Sequence, residues 1–328
     1  MASNEKKKIL GMDQDKFGMF LGKYGMGIIL IGMVIIIAIM KPMFIKPGNL
    51  LNIFTQISIN GLIAYGMCLA ITTGGIDLTV GAQLALVSCI LGQLVGVRGW
   101  GLLPACIVAV AFAGLFGFIN GVLISKFDMF PFVVTLSTQL IVRSIAQIIS
   151  EGKAVSMATE QFKSIYSGKF GPIPRPIVYL AVVVVIMYIV MHWTRFGRYV
   201  YAVGGNMNAA IASGVSVFWT KTLCYTISGV LAGLAGIIFT SKTGSAQSNI
   251  GIGYETDAVA ACVLGGVSMS GGIATAPGVL LGAIIFVCIY NGMNFMRIDS
   301  YWQSLAKGAV IIGAVMLDMV MNKKNRLS

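Results

Sequence analysis

The chain has 328 residues, 57% of them hydrophobic and 10% charged, with a formal net charge of +12 and a mean hydropathy of +0.89. Soluble domains carry about 25% charged residues, so the composition excludes that class, and apolar runs of roughly 20 residues without alternation exclude a β-barrel. The basic excess sits at ends and loops with no interleaved aromatic patch, which marks membrane topology and not nucleic-acid binding.

The expected fold class is therefore all-α, a polytopic membrane helical bundle of about ten spans in the lipid bilayer. A polar, lysine-rich tail, 1–23, carries no cleavable signal peptide and precedes a first span from Tyr24 to Phe44. After "KPGNLLN" the second span covers Leu51 to Thr73, and "TTGGIDLTVG" separates it from the third, Val80 to Val97. The fourth span, Leu102 to Ser125, ends at "KFDMFP", and the fifth runs from Phe132 to Ile149. A hydrophilic stretch, Ser150 to Arg175, leads to the sixth span, Ile177 to Trp193. A second polar stretch, Thr194 to Lys221, precedes the seventh, Thr222 to Thr240. "SKTGSAQSNIGIG" leads to the eighth, Tyr254 to Val267, and "GGVSMSGG" to the ninth, Pro277 to Phe295. The tenth, Trp302 to Met321, and a tail, 322–328, follow, so 24–321 reads as one transmembrane domain.

An even number of spans puts both termini on one side. Taking that side as cytoplasm collects about twelve Lys and Arg inside against about nine outside, with Lys6, Lys7, Lys8 and Lys23 flanking the first span. Both termini and the 194–221 loop are accordingly expected to be cytoplasmic. Small residues recur at helix-packing spacing in Gly92/Gly96, Gly117/Gly121, Gly229/Gly233 and Gly278/Gly282, where lipid supplies no hydrophobic drive and close backbone approach must hold helices together. The pairs Gly74–Gly75 and Gly265–Gly266 each precede a span and suggest an internal duplication.

Asp77 is a carboxylate between two apolar runs. It has two readings: a helix cap that pins the turn after Gly74 and Gly75, or a direct contact with solute or gate. Backbone polar groups at that turn are tolerated only inside protein or along a water-filled cavity. Arg143 and Lys307 lie inside spans and either snorkel or face a cavity, while His192 sits at a membrane boundary as a solvated side chain. Asn120, Thr135, Thr138, Gln139 and Gln147 would suit a neutral, hydroxylated solute, and equally well glue helices together. The six cysteines all lie in apolar runs without a CxxC pair, so neither disulfide nor metal is expected. No P-loop, HExxH or GxSxG elbow is present, which leaves no catalytic set and no nucleotide cofactor in this chain. In the polar loop, "GNMNAAIASGVS" reads as a short amphipathic helix opened by Asn206 or Asn208 and ended near Gly214, either a linker or a docking surface. The residues thus describe a transporter whose energy source is open. An ion-coupled secondary transporter of a small neutral solute is the competing reading.

"GGIDLTVG", "AVGGNMNAAIASGVSV", "GYETDAVAACVLGGVSMSGG" and "YWQSLAKGAVIIGAVMLD" together resemble the permease subunits of bacterial ABC importers for monosaccharides, of the ribose and galactose/methyl-galactoside type within the branched-chain permease superfamily. The likeness is collinear over roughly residues 50–320. It implies a two-fold dimer of this chain in the bacterial cytoplasmic (inner) membrane. An extracytoplasmic sugar-binding protein would dock outside. A cytoplasmic sugar ABC ATPase with two fused nucleotide-binding halves, which binds the ATP and Mg, would dock inside. The coupling segment of that family falls on Gly204, Gly205, Asn206, Ala209, Ala210, Ser213 and Gly214. Its path or gate elements fall on Gly74, Gly75, Asp77, Thr79, Gly265 and Gly266, and its outer acidic pair on Glu255 and Asp257. Asn120, Thr135, Thr138 and Gln139 join the path candidates as polar groups within spans.

Overall fold

The structure, a computed structural model, describes residues 8–9, 12–13, 28, 30–157 and 159–326. Most of the expected N-terminal tail, the start of the first span and residues 327–328 lie outside the described residues. Helix α1 covers Leu30–Met40, and a single 3-10 turn, Pro42–Ile45, leads into α2, Pro47–Thr72. Then come α3 (Val80–Leu91, continued as a π-helical turn, Gly92–Val97), α4 (Leu102–Lys126) and α5 (Pro131–Ser150). The connection 151–174 holds α6, Glu160–Ser167. It is followed by α7 (Arg175–Trp193), α8 (Arg195–Gly205), α9 (Met207–Ala212) and α10 (Val217–Thr243). The chain continues with α11 (Tyr254–Leu264), α12 (Ala276–Phe295) and α13 (Ser300–Arg326). Prolines Pro47, Pro131, Pro176 and Pro277 stand in the first turns of α2, α5, α7 and α12, where a missing N–H costs nothing.

Among the described residues seven helices are long and apolar enough to cross a membrane: α2, α3 with its π turn, α4, α5, α7, α10 and α12. They match the second to seventh and the ninth expected spans, and α13 covers the tenth. The expected eighth span differs. Helix α11 has 11 residues and rises about 16 Å, which does not cross about 30 Å of hydrocarbon, and the chain turns at Gly265 instead of continuing to Val267. The polar loop differs as well, because it holds two helices where the sequence indicated one.

Helix α2 is the axis of the bundle. It is buried on all sides from Ile57 to Thr72 apart from half-buried Asn60, as expected for a helix apolar all round, and it touches α7, α10, α11 and α12. Helix α3 packs beside it against α4, α5 and α10. The α4–α10 contact is backbone on backbone: a methyl placed at Gly121 would lie 2.5 Å from Thr222 Cα, and one at Gly117 would run into the Tyr225 carbonyl. Gly229 meets the Ala113 carbonyl from the other side, so the two expected small-residue pairs interlock. The start of α10 joins the end of α4 through the Ser125 and Thr222 hydroxyls, 3.0 Å apart, on the face that also carries α8 and α9. On the opposite face, Val155–Ser156 pairs antiparallel with Ser245–Ala246, and Tyr166 N–H donates to Ser241 Oγ at 3.0 Å.

Replacing Gly121 by Val forces α4 and α10 apart and is expected to lower stability by about 1–3 kcal/mol, the usual result of overpacking. Gly48→Ala, at an exposed position with open space around it, serves as control and leaves the melting temperature of the detergent-purified protein unchanged. A Gly121→Val protein that melts with the Gly48→Ala control would contradict the close approach.

Candidate functional site

The face bearing α8 and α9 brings three chain segments together. Asn206, not Asn208, opens α9, its side chain accepting from Ala209 N–H at 3.0 Å. The helix closes where Gly214 takes φ +77° and Val215 N–H reaches the Ala210 carbonyl at 3.0 Å. Ser213 Oγ donates to the Ala209 carbonyl at 2.9 Å. In α9 only Ala210 is buried, so Met207, Asn208, Ala209 and Ile211 form an exposed surface. Gly204 and Gly205 therefore end α8, and Asn206, Ala209, Ala210, Ser213 and Gly214 belong to α9 and its caps. The end of α8 meets backbone: a methyl at Gly204 would overlap the Thr72 carbonyl oxygen, which already accepts from Gly272 N–H at 2.9 Å. A methyl at Gly272 would lie 2.7 Å from Gly205 Cα. The end of α2, the 265–275 turn and the end of α8 thus touch without intervening side chains.

The two glycine turns are built alike. Gly74 has φ +82°, its N–H reaching Ile71 O at 2.9 Å while Gly75 N–H reaches Ala70 O at 3.0 Å. Gly266 has φ +75°, its N–H reaching Val263 O at 2.9 Å while Val267 N–H reaches Cys262 O at 3.0 Å. Both are Schellman caps, which need a left-handed residue and so favour glycine. The backbone register pairs Gly74 with Gly266, one residue on from the pairing of the two Gly-Gly dipeptides. Gly265 instead permits close approach to α12, since a methyl there would lie 2.7 Å from the Gly278 carbonyl.

Asp77 is fully buried in the turn between α2 and α3. It is not the cap of α3, whose N-cap residue is Thr79. Asp77 Oδ1 accepts from Thr79 N–H at 3.0 Å and from the Thr79 hydroxyl, which fixes the turn two residues before the helix begins. Burial pushes the Asp77 carboxyl up from the ordinary carboxylate range, against the lowering by these Thr79 bonds. Asn120 Nδ2 of α4 donates to Thr79 Oγ1 at 3.3 Å, and Thr135 Oγ1 of α5 donates to the Ile76 carbonyl at 3.1 Å. Thr138 is buried one turn further along α5. Asp77, Thr79, Asn120 and Thr135 are therefore assembled around one turn. Gln139 is not among them; its Nε2 lies 3.5 Å from Glu255 Oε1, toward the opposite face.

At that opposite face the connection before α11 is clamped twice. Arg143 Nη1 donates to Ser248 O at 2.8 Å and Ile250 O at 2.5 Å. Lys307 Nζ donates to Gly253 O at 3.3 Å and pairs with Asp257. Neither cation snorkels. Glu255 Oε1 accepts from Gly253 N–H at 3.2 Å, so Glu255 and Asp257, both half-buried, are engaged within the chain itself. His192 is exposed and stacks on Tyr188, with ring centroids 4.7 Å apart. No group of three or more His, Cys, Asp or Glu is placed to hold a metal among the described residues.

The geometry is that of a membrane bundle in which exposed helix α9 is tied to the ends of two core segments. The family model described as branched-chain amino acid transport system / permease component matches residues 49–315. The chain belongs to this family. It is 42% identical over 305 residues to the ribose import permease protein RbsC of Bacillus subtilis (strain 168), with 92% of each chain covered. The D-allose transport system permease protein AlsC of Escherichia coli (strain K12) is 36% identical, with 94% of each chain covered. The galactose/methyl galactoside import permease protein MglC of the same organism is 34% identical over 94% of this chain and 97% of its own. No solved structure matches.

Sequence reading missed the groups from α3 and α10 that complete the buried cluster around Asp77 in this permease-family chain. Tyr225 is fully buried, and a methyl at Gly75 would run into its hydroxyl; Ser228, also fully buried, lies near the Asp77 carboxylate, and neither hydroxyl has a hydrogen-bond partner among the described residues. Gln83 is fully buried, and neither of its amide atoms has a partner among the described residues. A glutamine inside an apolar span and a Ser-Gly step inside another were the available signals.

Asp77→Asn keeps an oxygen acceptor for Thr79, whereas Asp77→Leu leaves a buried N–H and a buried hydroxyl unmatched. Leu is expected to lower stability by about 2–4 kcal/mol and Asn by less than half of that, read as melting temperatures in detergent. Equal losses in both would show that the charge, and not the acceptor, holds the turn.

Proposed function

We propose that this chain is the membrane-spanning permease subunit of an ATP-driven importer that moves a monosaccharide delivered by an extracytoplasmic binding protein. The reading is supported by relatives named as ribose and galactose/methyl galactoside import permeases and a D-allose transport system permease, which match along more than nine-tenths of the chain. The observation that carries the mechanism is the join between exposed α9 and both glycine turns through Gly204 and Gly205.

On this reading α8, α9 and both termini face the cytoplasm of a bacterium, and two copies of the chain enclose the path in the inner membrane. The cytoplasmic ATPase, with two fused nucleotide-binding halves and its own ATP and Mg, grips α9. Closure of the ATPase displaces α9, and the Thr72 and Gly272 contacts pass that displacement to α2 and to the turn after α11. Helix α2 is about 39 Å long, so movement of its inner end is felt at the outer mouth. The binding protein docks outside over the 244–257 connection, where Ile252 and Thr256 are exposed and Glu255 and Asp257 fix the shape from beneath. Nucleotide binding and hydrolysis supply the differential free energy between outward and inward states, and the chain itself performs no chemistry.

Gly204→Val places a side chain on the Thr72 carbonyl, while Gly205→Ala enters open space. In proteoliposomes holding the full importer, Gly204→Val is expected to cut sugar uptake at least tenfold with the ATPase still bound, and Gly205→Ala to keep uptake within twofold of wild type. Normal uptake by Gly204→Val would refute the coupling route. Uptake by wild type driven by a proton or sodium gradient without ATP would refute the importer reading.

A further inference from the structure

Between α2, α11, α12 and α13, near the face bearing Ile252, lies a cavity of about 330 Å³. Its polar lining comes from Gln56 and Asn60 of α2, Asp257 of α11, Tyr290 and Asn294 of α12, and Lys307 of α13, with exposed Lys242 at the rim. Gln56 and Asn60 are one helical turn apart and share a face. Asn60 Oδ1 is buried without a hydrogen-bond partner among the described residues. Asn294 Oδ1 is held by Gln303 Nε2 at 2.9 Å, which orients the amide so that Nδ2 is left over as a donor. The Asp257–Lys307 pair cancels its own charge at the cavity wall.

A partnerless buried amide costs stability unless something else satisfies it. Gln56 and Asn60 each carry a donor and an acceptor in a fixed plane and Asn294 adds a donor, a set that matches neighbouring hydroxyls on one ring. The Tyr290 ring adds an apolar wall with a polar tip. A volume near the lower end of small-molecule sites, about 300–1,000 Å³, takes one ring and not two. An anion would meet the Asp257 carboxylate with only the exposed Lys242 at the rim to compensate it, because Lys307 is already paired, and a cation would find no free carboxylate.

We propose that this cavity is a transit site in the permease itself for one uncharged, polyhydroxylated ring, occupied between release from the binding protein and passage inward. The proposal rests on the importer reading. It adds to it a selectivity step made by Gln56, Asn60 and Asn294 in addition to that of the binding protein. The site is shallow in affinity, because a tight site would trap its cargo.

The test uses the assembled permease–ATPase complex in nanodiscs, without binding protein, and saturation-transfer NMR with ribose, galactose and ribose 5-phosphate as probes. Ring protons of at least one neutral sugar are expected to receive saturation from wild type. Asn60→Ala and Asn294→Ala should each weaken that signal about three- to tenfold, the loss of one net hydrogen bond. Tyr290→Phe, which keeps the wall, should weaken it less, and Lys163→Ala, on α6 and outside the cavity lining, should match wild type. Assembly of each variant is verified by co-elution with the ATPase and by its melting temperature. No signal from either sugar, equal signals from wild type and both Asn variants, or a stronger signal from the phosphate would each overturn the site. Uptake by the complete wild-type importer is measured in parallel. Uptake without a saturation signal condemns the transit site alone, whereas absence of ATP-dependent uptake condemns the importer reading on which it rests.

Discussion

The hydrogen bond from Gly272 N–H to the Thr72 carbonyl, 2.9 Å long, closes a junction where the core of the bundle meets the surface helices α8 and α9. The same carbonyl is pressed by Gly204. Side chains at this junction would act as flexible spacers, each able to change rotamer and absorb a displacement. Glycines leave only backbone, and packed backbone transmits a shift because the interior is close-packed and resists compression. The spacing of the remaining elements follows from this junction. Helix α2 must end at Thr72, α11 must stop early enough for its turn to reach that level, and α8 must run along the face and stop at Gly205.

That constraint explains the short α11. A helix of full span length would carry its end past the junction, whereas 11 residues leave the 265–275 turn to fill the distance with irregular backbone. Irregular backbone at such depth is sustained only when protein satisfies it. Here Gly272 N–H finds Thr72, Ser268 N–H finds the Ile273 carbonyl at 2.9 Å, and Tyr65 OH donates to the Ala276 carbonyl at 2.8 Å. The matched Schellman caps at Gly74 and Gly266 show the same solution used twice, on the two segments that end at the junction.

What the sequence revealed follows the range of the forces involved. Spans were legible because length and apolarity are local properties, and the glycine pairs were legible because packing spacing is read along one helix. The Asn206 cap was legible within a choice of two, since capping spans three residues. Helix α8 was not, because Arg195, Arg198 and Gly197 interrupt its apolar pattern. Its start is capped by Thr194, and Gly197 lies against the carbonyls of Val190 and Met191 at the end of α7, a contact no pattern announces. Of the two readings of Asp77, the cap lies two residues before the N-cap residue Thr79, a difference that local propensity does not resolve. The partners of Arg143 and Lys307 were invisible, since Ser248 and Ile250 lie more than one hundred residues from Arg143 and offer only backbone oxygen.

Those two cations bear on the kind of cargo the bundle tolerates. A bare charge within the bilayer costs several kcal/mol, about 2.5–3.5 on insertion scales, and would also set a field along any nearby path. Arg143 is surrounded by carbonyl dipoles with Glu255 close enough to interact, and Lys307 is cancelled by Asp257. The buried carboxylate of Asp77 is enclosed by hydroxyl and amide groups. Both cations are therefore matched inside the chain, and they and Asp77 each hold a turn or a connection. What the interior then offers a solute is hydrogen-bonding groups without net field, which favours passage of neutral hydroxylated molecules and penalises ions by their lost hydration.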